Sequence, residues 1–91
     1  MSRSEMILVL VSRGYHITQG WVEENGNLIF RIDIYGKQRN DFRCSSCERF
    51  DIRGLSFCVD IEHAMRTVEE QTIQRLFDKM VEKGVIRINN H

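Results

Sequence analysis

Proline is absent from this chain, and so are low-complexity tracts, internal repeats and anything with the composition of a linker. One domain over residues 1–91 follows, because chains divide into several cores only at greater length. Net charge is absent as well, since thirteen Lys and Arg balance thirteen Asp and Glu. Long-range steering toward nucleic acid or an anionic membrane is therefore not built into the chain. The longest apolar run, "MILVLV" at residues 6–11, is too short to cross a bilayer, and no small-residue cleavage site follows it. Glycines are few and isolated, which excludes a Gly-x-Gly or Walker phosphate loop. Three cysteines are an odd number, unlike the even disulfide set of a small secreted domain. Reduced thiols in a cytoplasm are the expectation.

What is present reads as an α+β fold. The first residues, "SRSEMILVLVSRGYHI", carry apolar side chains at every position from 6 to 11, so periodicity does not separate helix from strand. Ile7, Val9 and Val11 are β-branched and suit a strand. Ser2 and Glu5 have the spacing of a capping box and Gly14 that of a helix stop, and these two signals favour a short helix. Asn25-Gly26 then separates "YHITQGWV" from "NLIFRIDIY" and predicts a hairpin, because both turn residues tolerate positive φ. Leu28, Phe30, Ile32 and Ile34 alternate with Ile29, Arg31, Asp33 and Tyr35, giving one core face and one mostly polar face. A third strand is expected to return from Phe42 to Cys44, completing an antiparallel meander.

Ile73, Leu76, Phe77, Met80 and Val81 fall on one helical face and predict a long helix over residues 67–83. It ends at Gly84, and "VIRI" after it reads as a short strand. Ile61, Ala64, Met65 and Val68 form a second stripe, about 140° out of phase at 100° per residue. Thr67-x-x-Glu70 has capping-box spacing there, so a break near Thr67 is expected. Upstream, "LSFCVDI" alternates as a strand does, and the same residues equally suit a strand that ends near Val59 and a helical turn that begins at Asp60. The expected architecture is an antiparallel sheet packed against the C-terminal helix.

Candidate sites are few. Cys44, Cys47, Cys58 and His63 follow a Cys-x2-Cys-x10-Cys-x4-His pattern, a conceivable zinc site whose second half is poorly spaced. Free cysteines and no cofactor are the preferred reading. A redox Cys-x2-Cys is disfavoured because a strand-like "ERFDI" follows where a helix would lower a thiol pKa. No histidine sits in a nucleophile pattern, so an enzyme is not expected. Lys37, Arg39, Arg43, Arg49 and Arg53 outnumber Asp41, Glu48 and Asp51 in the one mildly basic stretch. On the hairpin, Trp21, Ile29 and Tyr35 around Arg31 would form an exposed apolar patch if all lie away from the helix.

The tail "TVEEQTIQRLFDKMVEKGVIRI" resembles the recognition helix and first wing strand of winged-helix regulators. Thr72, Ile73, Arg75, Leu76, Met80, Lys83, Gly84, Val85 and Ile86 carry the resemblance. It implies that Gln71, Thr72, Gln74 and Arg75 approach a major groove, although Glu69 and Glu70 would repel phosphates. The first expectation is a non-enzymatic regulator or inhibitor that binds another protein, in profile like small phage-encoded inhibitors, with no membrane partner. The alternative is a nucleic-acid-binding regulator, winged-helix-like or zinc-stabilised.

Overall fold

The computed structural model describes residues 1–53 and 58–88, in the order α1 (Arg3–Ser12), β1 (His16–Glu24), β2 (Asn27–Tyr35), β3 (Arg43–Asp51) and α2 (Cys58–Glu82). The three strands form an antiparallel meander in sequence order, with both helices on one face. This is the α+β architecture expected, short N-terminal helix included.

The capping box fixes the start of α1. Ser2 Oγ accepts the Glu5 N–H and Glu5 Oε1 accepts the Ser2 N–H, each at 3.2 Å. The Ser2 bonds hold the Glu5 carboxyl below its usual range. The helix closes when Tyr15 N–H reaches Leu10 O and Gly14 N–H reaches Val11 O, both at 3.0 Å, with Gly14 left-handed at φ 88°. α2 ends by the same device: Val85 bonds back to Met80 O, Gly84 to Val81 O, and Gly84 has φ 75°. These are Schellman ends, and only glycine takes that backbone at no steric cost.

Asn25 and Gly26 lie at φ 51° and 79°, as a two-residue type I′ turn requires. The turn closes Glu24 onto Asn27 and so sets the whole β1–β2 register, with Trp21 opposite Phe30 and Ile17 opposite Ile34. β3 is longer than the expected return at Phe42 to Cys44, pairing from Arg43 opposite Tyr35 to Asp51 opposite Asn27.

The core lies between sheet and helices. Phe30, Ile32 and Ile34 from β2 meet Met6 and Leu10 of α1, Ile73, Leu76, Phe77 and Met80 of α2, Cys44 and Ile86. At 18 Å the molecule's smallest extent suits one sheet and one helix layer.

Three expectations for the C-terminal half are corrected. α2 does not break near Thr67, which is mid-helix and donates its hydroxyl to His63 O at 2.9 Å. The two apolar stripes look out of phase because two polar residues, Glu69 and Thr72, occupy the inner face between them. Thr72 is buried and Glu69 is bonded to Trp21 and Arg3. The strand pattern of "LSFCVDI" falls partly on residues 54–57, outside the described residues, and from Cys58 the backbone is helical. "VIRI" is not a strand over its described length; Val85 and Ile86 both direct their N–H to Met80 O, and Ile86 enters the core.

Candidate functional site

Strand alternation and the register place five rows of side chains across the sheet face that points away from the helices. They are Glu24–Asn27–Asp51, Val22–Ile29–Arg49, Gly20–Arg31–Cys47, Thr18–Asp33–Ser45 and His16–Tyr35–Arg43. Among the described residues no element covers this face. Val22 is 58% exposed, and Ile29 beside it is only 6% exposed, between Val22 and Arg49. Gly20 leaves a gap in the next row, where an added Cβ would meet nothing within 4 Å. A groove of about 470 Å³ results, walled by Val22, Ile29, Arg31 and Arg49. At the far end His16 stacks on Tyr35 with centroids 5.4 Å apart, and the Arg43 guanidinium lies 5.5 Å from the Tyr35 ring centre. Such cation–π contacts preorganise both groups.

Of the four residues expected to form an outward patch, Ile29, Arg31 and Tyr35 share this face and Trp21 does not. Trp21 lies opposite Phe30 and so faces the helices. Its ring packs 4.9 Å from Phe30 and 5.6 Å, edge-on, from Phe50. Its indole N–H donates to Glu69 Oε1 at 2.7 Å, while Arg3 pairs with Glu69 Oε2 and also reaches Gln19. α1, β1 and α2 are tied together at this point. In Trp21's stead the outer face gains Val22, Arg49 and Arg43.

The basic stretch does not act as one patch. Arg43 and Arg49 lie on the outer face, while Lys37 and Arg39 are exposed in the β2–β3 loop. Arg53 is occupied by Asp51, through Nε at 3.0 Å and Nη2 at 2.9 Å. These side-chain bonds, with the Arg53 N–H, bring the Asp51 carboxyl down to about 2. Two groups of the winged-helix resemblance, Thr72 and Arg75, are likewise engaged elsewhere. Thr72 is 2% exposed, and Arg75 bonds Glu48 and Ser46 of β3, lowering the Glu48 carboxyl. Thr72 is thus packed into the core and Arg75 is held against β3, a strand that precedes α2 in sequence.

Cys44 and Cys47 are three residues apart on β3, so their side chains leave opposite faces of the sheet. Cys44 is buried, which raises its thiol pKa, and Cys47 is exposed. Two thiolates so placed do not converge on one tetrahedral ion. His63 is exposed on α2, and the Cys58 side chain lies outside the described residues. Among the described residues no three His, Cys, Asp or Glu side chains gather as metal ligands would. A maleimide is expected to modify Cys47 in the native protein and Cys44 only after denaturation, as peptide mapping would read. Equal labelling would mean that β3 does not separate the two thiols.

No protein-family model matches the chain, and neither a curated protein nor a solved structure matches it. Among the described residues no helix is long and apolar enough to cross a membrane.

Proposed function

We infer that the protein is a non-enzymatic regulator or inhibitor domain that binds another protein with the outer face of its sheet. The observation that carries this is the composition of that open face. An exposed antiparallel face is usually polar. Here Val22 and Ile29 adjoin a groove edged by Arg31 and Arg49, with Tyr35 and Arg43 at one end. Tyrosine and arginine are the residue types enriched in interface hot spots, and an apolar centre with a polar rim is the usual anatomy of such a surface. The two described histidines offer no shared chemistry, since His16 stacks on Tyr35 and His63 lies on α2.

A photo-crosslinking amino acid in place of Arg49, which walls the groove from β3, should trap a partner from a lysate of cells that carry the gene. The same group in place of Glu62, exposed on α2, should not. Arg31→Ala with Tyr35→Ala should weaken capture by about thirty-fold or more, the effect of one hot spot worth about 2 kcal/mol, with an unchanged circular dichroism spectrum. Undiminished capture by the folded double variant would move the binding surface elsewhere.

A further inference from the structure

β1 is an edge strand of nine residues with no proline, no lysine and no bulge, so it has few of the devices that normally protect an edge. Its open hydrogen-bonding groups can be named. The two-residue turn makes Glu24 and Asn27 a hydrogen-bonded pair, and such pairs alternate along the ladder. Glu24, Val22, Gly20, Thr18 and His16 therefore bond to β2. The parity is confirmed on the other side of β2, where Ile52 N–H meets Gly26 O at 3.0 Å, so even-numbered positions of β2 face β3. Ile17, Gln19, Trp21 and Glu23 are left directing their N–H and C=O groups to the edge, where no described strand pairs with them.

An apolar flank of α1 overhangs this edge. Met6 and Leu10 face the core, whereas Leu8 and Val11 are 68% and 54% exposed. Ile7 and Val11 line a groove together with Ile17 and Gln19 of β1, so this flank lies on the side of the open edge. A helix that is apolar all round normally has neighbours all round.

We propose that this edge pairs with β1 of a second copy, antiparallel about a two-fold axis at Gly20, to make a six-stranded sheet. This register lets all four open residues bond, Ile17 with Glu23 and Gln19 with Trp21 of the second copy. Shifting it in either direction leaves one of the four without a partner among them. The two ends of the edge are complementary in charge through Lys37, which lies beside the His16 end. Glu23 and Glu24 of one copy arrive beside His16 and Lys37 of the other, and His16 and Lys37 line one groove. A parallel arrangement would set the glutamates against each other. On the outer face Val22 gains Thr18 of the second copy, and on the inner face the two α1 flanks, Ile7, Leu8 and Val11, meet across the axis. A closed, isologous dimer results. It does not rest on the protein-binding reading: pairing at the edge leaves the outer-face side chains of Arg31, Tyr35 and Arg49 exposed in each sheet, while Val22 and His16 of β1 belong to both surfaces.

Sedimentation equilibrium across a concentration series should show a monomer–dimer equilibrium. Gly20→Cys in a Cys47→Ser background should form an intermolecular disulfide on mild oxidation. Gly20 would face its own copy in a non-hydrogen-bonded pair, with Cα atoms about 4.5 Å apart, inside the disulfide range. Thr18→Cys in the same background should not cross-link. Leu8→Glu with Val11→Glu should yield a folded monomer, since both side chains are exposed in the single chain. Glu24→Lys should weaken the dimer and Lys37→Glu added to it should restore it. A protein monomeric throughout the series overturns the proposal. So does a dimer that cross-links through Thr18→Cys and not Gly20→Cys, or one that Leu8→Glu with Val11→Glu leaves intact.

Discussion

Phe77→Ala is expected to lower the free energy of unfolding by about 3–5 kcal/mol, the usual cost of truncating a buried aromatic. Phe77 is 1% exposed and lies in the centre of the inner face of α2, among Ile73, Leu76 and Met80 and against the β2 residues Phe30, Ile32 and Ile34. The loss combines the transfer free energy of the ring with the cavity it leaves. Total stability for a small domain is about 5–15 kcal/mol, so this one change consumes a large share of it. Urea unfolding followed by circular dichroism measures the difference. A loss below about 1 kcal/mol would show that α2 does not sit on the sheet as described.

Trp21→Ala is expected to cost about 3 kcal/mol or more, because it removes a large aromatic from between Phe30 and Phe50 and cuts a hydrogen-bonded junction. Glu69 then loses its indole donor and keeps Arg3, so β1 loses this attachment to α2 while α1 retains its own. Trp21→Phe should recover much of the ring packing but not the hydrogen bond, a further cost of about 1–2 kcal/mol. Had Trp21 been a surface anchor, both variants would unfold at the wild-type urea midpoint. That outcome would reverse the assignment of faces in β1.

The hairpin, the two helix ends and the core stripe of β2 were legible because each rests on a local rule. Asn25-Gly26 demands positive φ, Gly14 and Gly84 end helices, and period-two alternation marks a half-buried strand. The facing of Trp21 was legible too. A two-residue turn at 25 and 26 puts 21 opposite 30, and a residue opposite Phe30 shares its face. Composition suggested an outward aromatic where the register required an inward, half-buried one. The continuity of α2 was harder to see, because Glu69 and Thr72 sit where the core stripe should run. Glu69 finds its partners in Trp21 and Arg3, 48 and 66 residues away in the chain, and no local window holds that information. β3 escaped for a related reason. "RCSSCERFD" is polar at two of its four inward positions, where Ser46 and Glu48 are turned to Arg75 of α2. The groove at Gly20 follows from pairing three strands at once, which a single-strand pattern does not contain.

The connectivity of the core has a consequence during synthesis on the ribosome. Every strand pairing joins sequence neighbours, so the meander can assemble as soon as residue 51 is clear of the exit tunnel. The apolar side of that sheet, and Met6 and Leu10 with it, has no lid until Ile73, Phe77 and Met80 follow. At about 5–20 residues per second the interval lasts a few seconds. During it a nascent chain offers an oily sheet with two unpaired edges to its surroundings. Polysomes crowded with such chains are the setting in which a holding chaperone, or a neighbouring nascent copy, would meet this protein first.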